Sequence, residues 1–186
     1  MYGDCQGAWI DETQSLQPTT ARAQRRVDAE AWLQAWGAAG GPRLQVLRIP
    51  GIYALDREGG TPRDRLTKRM PVLQAADDVF TNHVHADDLA RAAVLALWRG
   101  KPLRPLHVCD DSDLRMGDYM DWAADLWGLP RPPRVSRDQA AKELPPMTLS
   151  FMSESRRMHN HRMKQELRMK LRYPTVREGL QGKPVF

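Results

Sequence analysis

Apolar positions recur along this chain with two alternating periods. Ala29, Trp32, Leu33 and Trp36 fall at i, i+3, i+4 and i+7, which predicts a helix over residues 19–37 with one apolar stripe. Thr19 and Thr20, following Pro18, are candidate caps, and Gly37, Gly40 and Gly41 end the run. Leu44 to Ile49 is a short aliphatic run closed by Pro50-Gly51, the pattern of a strand. Residues 62–70 read as a short basic helix or turn, and Val79 to Val84 as a less regular strand. Asp87 and Asp88 suit a helix N-terminus; Leu89, Ala92, Ala93, Ala96 and Leu97 then give it an apolar face ending at Gly100. Leu106 to Cys109 is another strand candidate. Met116, Met120, Ala123 and Trp127 mark a helix stopped by Gly128 and Pro130, and residues 129–153 are Pro-rich and least regular. Met163, Leu167 and Leu171 at i, i+4 and i+8 predict a last helix, closed by Pro174.

Helix, strand, helix, strand, helix is the order of an α/β layer with parallel strands. Such a sheet carries helices on both faces and needs several strands. Only two clear strands and one less regular one emerge. Either the sheet is small or the chain lacks part of it. The pattern divides into an α/β domain over residues 1–128 and a Pro-rich, helical lobe over 129–186.

Charge changes the picture in one place. The net charge is +5. Residues 151–186 hold nine Lys/Arg against three Glu, so the preceding 150 residues net −1. This basic segment is either the solvated face of a helix or a phosphate-binding or polyanion-binding strip, and the solvated face is the commoner case. No run approaches the length of a membrane-spanning helix. The first residues carry Asp4, Asp11, Glu12 and Asp28 without an apolar stretch, which is not a secretory signal. Cys5 and Cys109 form neither a disulfide framework nor metal-ligand spacing, and a cytoplasmic location follows.

Candidate chemistry is sparse. There is no G-x-G-x-x-G after a strand and no P-loop; Gly40-Gly41 follows a helix and cannot cradle a pyrophosphate. His83-x-His85 on an extended segment puts both rings on one face near Asp87 and Asp88, but no third ligand is fixed, and no metal is expected. His159-Asn160-His161 lies in a basic helix and reads as surface.

Several phrases, in order, resemble the later part of an extended short-chain dehydrogenase/reductase of the NAD(P)-dependent epimerase/dehydratase kind. Met1-Tyr2-Gly3-Asp4 is similar to the family's V-Y-G-D, and Asp11-Glu12 with Leu16-Gln17-Pro18 to its acidic loop. Leu47-Arg48-Ile49-Pro50-Gly51-Ile52-Tyr53 resembles its L-R-x-x-x-V-Y-G. Thr81-Asn82-His83-Val84-His85-Ala86-Asp87-Asp88-Leu89-Ala90 resembles the I-H-V-x-D-L-A stretch. Leu171-Arg172-Tyr173-Pro174-Thr175 with Glu178-Gly179-Leu180 resembles its closing phrase. No single match is specific; their order is.

The resemblance implies a Rossmann-like parallel sheet whose N-terminal half is missing, with a helical C-terminal substrate lobe. It places the family's Gly-rich loop and active-site Ser/Thr upstream of Met1, so the chain reads as a late start, a misassigned start or a truncated gene. It implies NAD or NADP as cofactor, bound weakly or not at all by this chain, and a small hydroxylated metabolite as substrate. Aligned on Glu30, the family's Y-x-x-x-K falls on Arg22 and Arg26. Arginine keeps its proton near neutral pH, so Arg22 is no general acid/base and no catalytic residue remains, while Arg26 is still able to bind a ribose or phosphate. By position, Pro50, Gly51 and Ile52 form a loop near the nicotinamide, and Tyr53 and Asn82 face the substrate. Thr81 stands where the family often has the Arg for a nucleotide diphosphate. His85 and Asp88 are expected to fix the start of the following helix. The rivals are a non-catalytic NAD(P) sensor or scaffold, a polyanion binder through residues 156–172, and an inactive fragment. A homo-oligomer is an open option; a membrane or nucleic-acid partner is not expected.

Overall fold

The computed structural model describes residues 1–186. Four strand pairs run parallel. β1 (Trp9–Ile10) lies beside β10 (Arg157–Met158), and β2 (Val46–Arg48) beside β7 (Pro105–His107). β3 (Gly51–Tyr53) lies beside β6 (His83–His85), and β4 (Val72–Leu73) beside β9 (Arg134–Val135). Only β5 (Phe80–Thr81) and β8 (Leu114–Arg115) pair antiparallel. The chain beyond β7 stitches two pairs together: Val108 N–H donates to the Arg48 carbonyl and Asp110 N–H to the His83 carbonyl. Pairs β1–β10 and β4–β9 both join a segment before residue 128 to one after it.

Eight helices complete the fold: α1 (Ala21–Ala38), α2 (Arg63–Thr67), α3 (Ala86–Arg99), α4 (Met116–Leu126), α5 (Arg137–Glu143), α6 (Pro146–Phe151), α7 (His161–Glu166) and α8 (Val176–Gln181). Local chemistry sets several of their starts. The Thr20 hydroxyl accepts from Ala23 N–H, the Ser136 hydroxyl from Gln139 N–H, and Thr175 with Glu178 closes a capping box. One core packs Val84 and Leu106 from the strands and Val108 just beyond β7 against Ala92 and Ala96 of α3 and Met163, Leu167, Met169 and Leu171. A second joins Tyr53, Leu66, Tyr119, Ala123, Val176 and Leu180. No helix is long and apolar enough to cross a membrane.

The structure departs from the pattern in five places. The stripe of α1 points outward: Trp32, Leu33 and Trp36 are exposed, and its buried residues are Ala23 and Glu30. Glu30 goes inside because Arg48 waits there. On α3, Ala92 and Ala96 are buried while Ala93 and Leu97 are exposed. The strand over Val79 to Val84 breaks at Asn82 into β5 and β6, which pair in opposite senses. Residues 129–153 hold β9, α5 and α6. The last helix is short: α7 stops at Glu166, and Arg168 takes φ 49° while Met169 N–H reaches back to the Lys164 carbonyl. That closure is a Schellman end, and it turns Leu167, Met169 and Leu171 into the core without a continuous helix. His159 and Asn160 therefore precede α7, and Asn160 is buried, donating to the Cys109 carbonyl at 2.8 Å.

Candidate active-site cleft

The cleft is organised by the first seven residues. Gly3, Gln6 and Gly7 take φ of 71°, 53° and 76°, a tight loop in the left-handed region. It is clamped to the segment before β10: Cys5 and Gly7 N–H both donate to the Ser155 carbonyl, and Ser155 N–H donates to Asp4 Oδ1 at 2.8 Å. The Ser155 hydroxyl accepts from Phe80 N–H. Beside this clamp lies a cavity of about 410 Å³ lined by Asp4, Phe80, Arg115, Arg137, Ser153 and Ser155, among others. Its carboxylates are spent on backbone N–H groups: Asp4 on Gln6 and Ser155, Asp77 on Arg137. Arg115 donates to the Ala75 carbonyl, and Arg137 to those of Met152 and Asp77. Neither guanidinium meets a carboxylate, and with Asp4, Asp77 and Asp78 on the same wall the cavity presents charges of both signs.

The start of α1 forms the neighbouring wall. Arg22 lies 5.0 Å over the Phe151 ring. Arg22, Arg26 and Arg156, together with Glu154, all act electrostatically on the Met1 amino group, which places them around one point. Glu154 is occupied by Arg156 at 2.6 Å and by the Thr19 hydroxyl at 3.0 Å. Arg22 and Arg26 are exposed and have no ion pair.

One turn deeper along α1 the polar groups are buried and fully partnered. Arg48 holds Glu30 through Nε and Nη2, at 3.2 and 2.6 Å. Its Nη1 donates to the Tyr2 hydroxyl at 2.5 Å, and Tyr2 lies 2.5 Å from His107 Nε2. His107 Nδ1 lies 3.1 Å from the His159 carbonyl, which fixes the tautomer: Nδ1–H donates and Nε2 accepts from Tyr2. Burial lowers this imidazole to about 4, so it is neutral near pH 7. Glu12 accepts from His107 N–H at 2.8 Å.

Arg22 and Arg26 thus share a wall with Arg156, and Tyr53 and Asn82 lie elsewhere. Tyr53 is buried in the core with its hydroxyl donating to the Thr175 carbonyl at 3.2 Å. Asn82 donates to the Arg156 carbonyl and accepts from Met158 N–H, so it touches the cleft through Arg156, the residue just before β10. Pro50 precedes β3, and Gly51 and Ile52 belong to that strand instead of a loop, with Gly51 N–H bonded to the Asn82 carbonyl. Both His83 and His85 turn toward Tyr53, with ring centroids at 6.3 and 5.3 Å. The His85 imidazole accepts from Asp87 N–H at the start of α3, whereas buried Asp88 accepts from Arg172 and Tyr173 N–H and ties down the C-terminal segment.

Sequence patterns missed Arg115, Arg137, Glu154 and Phe151 and read Arg156 only as the start of the basic segment; these residues come from three separate stretches with no shared spacing. Much of the basic segment is engaged. Arg157 lies over the Trp9 and Phe80 rings, Arg162 is 3.5 Å from Glu12, and Lys164 is 2.5 Å from Asp111.

No family model matches this sequence, and no curated protein does. Solved structures do. A conserved protein of unknown function from Silicibacter pomeroyi is 38% identical with a TM-score of 0.84, over 97% of this chain and 61% of that one. MoeE5, solved with UDP-glucuronic acid and NAD, is 20% identical with a TM-score of 0.74, over 98% of this chain and 60% of its own. DesIV, a dTDP-glucose 4,6-dehydratase from Streptomyces venezuelae solved with NAD and TYD, is 15% identical with a TM-score of 0.73, over 98% and 55%. The chain spans less than two thirds of each. Over that span it has the Rossmann-like fold of the NAD-dependent nucleotide-sugar epimerases and dehydratases.

Proposed function

We propose that the cleft between the start of α1 and the Ser153–Arg156 strip serves an NAD(P)-dependent site for a small hydroxylated, anionic metabolite. In this reading Arg22 and Arg26 supply positive charge in place of a proton shuttle. The observation that carries it is the convergence of unpaired Arg22 and Arg26 with Arg156, which Glu154 partners, beside a cavity whose Arg115 and Arg137 donate to backbone carbonyls. An epimerase or dehydratase of this fold needs a group that gives and takes a proton. A guanidinium does neither near neutral pH.

The residues fit part of the cofactor. Arg26 is exposed, unpaired and one turn into α1, suited to a ribose hydroxyl or a phosphate. On the side where the resemblance puts the nicotinamide, Pro50 precedes β3, and Gly51 and Ile52 offer strand backbone. No strand of this chain runs through a glycine-rich turn into a helix, the arrangement that grips a pyrophosphate. A nicotinamide dinucleotide, when bound, supplies hydride exchange; this chain's residues hold anionic groups and orient them.

Titration of the 186-residue protein with NADPH and NADH by calorimetry tests the reading. Binding is expected to be weaker than low-micromolar, and Arg26→Ala weakens it about tenfold, the scale of one charge-assisted hydrogen bond. Low-micromolar affinity that ignores Arg26→Ala overturns the placement. Proton exchange at a substrate carbon that the wild-type protein catalyses and Arg22→Ala abolishes overturns the assignment of Arg22.

A further inference from the structure

The cavity beside the Ser155 clamp holds one guanidinium with a whole edge to spare. Arg115 spends only Nη1, on the Ala75 carbonyl at 2.7 Å, and lies 5.3 Å over the Phe80 ring. Its Nε and Nη2, the edge that meets a carboxylate with two parallel hydrogen bonds, have no partner. Arg137 differs: Nη1 goes to the Met152 carbonyl and Nη2 to that of Asp77. Open acceptors complete the wall. Asp4 gives Oδ1 to the N–H groups of Gln6 and Ser155, and Asp77 gives Oδ2 to the Gln74 amide and Arg137 N–H. Each keeps its other oxygen free. The Ser155 hydroxyl accepts from Phe80 N–H and still has its own proton to donate.

We propose that this cavity selects a free polyhydroxy monocarboxylic acid, of the sugar-acid class, with Arg115 reading the carboxylate and Asp4 and Asp77 accepting from hydroxyls. The inference rests on the reading that the substrate is a small hydroxylated anion, and narrows it. Charge sets the number of acid groups. One carboxylate is met by the Arg115 edge, whereas a second faces the carboxylates of Asp4 and Asp77. Polarity demands the hydroxyls, because an apolar acid covers the open oxygens of Asp4 and Asp77 without replacing the water they lose. Size sets the upper limit. A cavity of about 410 Å³ equals roughly fourteen water volumes, which holds a sugar acid of about 13 non-hydrogen atoms and not a nucleotide sugar of about 36.

Calorimetry of the 186-residue protein without cofactor, using gluconate, glucitol, glucarate and UDP-glucose as probes, tests the proposal. Gluconate is expected to bind at least about tenfold more tightly than glucitol, which lacks the carboxylate, and than glucarate, which carries two. UDP-glucose does not displace it. Arg115→Gln brings gluconate down to the level of glucitol, while Arg115→Lys, which keeps the charge without the fork, loses about threefold. The lysine still reaches a carbonyl, so it keeps the test open should the glutamine variant not fold by circular dichroism. Equal binding of gluconate and glucitol, tighter binding of glucarate or UDP-glucose, a gluconate preference indifferent to both substitutions, or no binding of any probe overturns the inference. These titrations contain no nicotinamide cofactor, so their failure leaves the NADPH result standing, and a failed NADPH titration leaves theirs.

Discussion

Two buried polar clusters in this molecule are wired in opposite ways. Around Arg48 every polar atom has a partner: Glu30 on two nitrogens, Tyr2 and the Glu12 carbonyl on the third, and His107 beyond Tyr2. Around Asp110 the partners run out. Its Oδ1 accepts from Ser112 N–H, but Oδ2 is buried and unbonded, because the Tyr53 hydroxyl that faces it donates to Thr175 instead. Arg65, which acts with Asp110 on Tyr119, likewise has Nε and Nη2 buried without an acceptor. Both clusters are desolvated. The first turns desolvation into a lock, because each charge is met; the second carries it as a cost, because a charge there meets none.

The largest effect comes from breaking the lock. Arg48→Ala leaves the Glu30 carboxylate and the Tyr2 hydroxyl buried without their donor, and is expected to lower unfolding stability by about 3–5 kcal/mol. The double variant Arg48→Met, Glu30→Leu removes both charges and is expected to recover most of that loss. Urea unfolding of the three proteins at neutral pH measures it. A single variant that loses under about 1 kcal/mol shows that Glu30 finds other compensation.

The second cluster is expected to show itself in pH dependence. Burial raises the Asp110 carboxyl to about 8 and, with Asp110 nearby, also raises the Tyr53 and Tyr119 phenols. Unfolded, an Asp titrates near 4. Between these values the folded protein holds a proton that the unfolded chain has released, so stability falls as pH rises from about 4 to about 8. His83 and His107 act the other way. Burial lowers both to about 4, so the unfolded chain takes up protons first, and stability falls as pH drops from about 6.5 to about 4. Burial lowers His85 as well, so three histidines oppose the one carboxyl on the acid side and the maximum lies near pH 6.5; toward pH 8 the carboxyl lowers stability, while the Met1 amino group, which burial also lowers, acts against it. The decline is about 1.4 kcal/mol per pH unit for the single carboxyl. Asp110→Asn abolishes it while leaving the acid limb, as unfolding midpoints across pH 5–9 check. A wild-type protein whose profile from pH 6.5 to pH 8 coincides with that of Asp110→Asn rules out a protonated Asp110.

The two clusters differ also in how far they can be read from sequence. Thr20, Ser136 and Thr175 act on residues two or three positions away, and such caps are visible in the letters, though the Ser136–Gln139 signal was obscured by its Pro-rich surroundings. The lock is not visible in the same way. Arg48 and Glu30 are 18 residues apart, and Tyr2 and His107 are 105. Periodicity identifies residues that share a helix face without saying which face turns inward. That is why the tryptophan stripe of α1 seemed a core face until Glu30 was found there. The turn at Arg168 left no trace because an arginine, not a glycine, takes the left-handed position. In the cleft, Arg22 and Arg26 were legible through the family phrase around Glu30. Arg115, Arg137 and Arg156 come together only through the β5–β8 pairing and the Ser155 clamp.

The smallest expected effect separates scaffold from strain within the second region. Thr175 supplies two different groups: its hydroxyl and N–H form the capping box with Glu178, and its carbonyl accepts from Tyr53. Thr175→Ala removes the hydroxyl and keeps the carbonyl. It is expected to cost about 1 kcal/mol, the usual value of an N-cap. Those hydrogen bonds hold the Glu178 carboxyl below its ordinary range despite partial burial, so its contribution is fully present above about pH 5. The loss is therefore constant from pH 5 to 9, and the decline between pH 6.5 and 8 keeps its slope, because Tyr53 still donates away from Asp110. A variant whose loss grows or shrinks across that interval shows that the cap and the Asp110 cluster are coupled, and that the α8 start helps set the charge state of the core it covers.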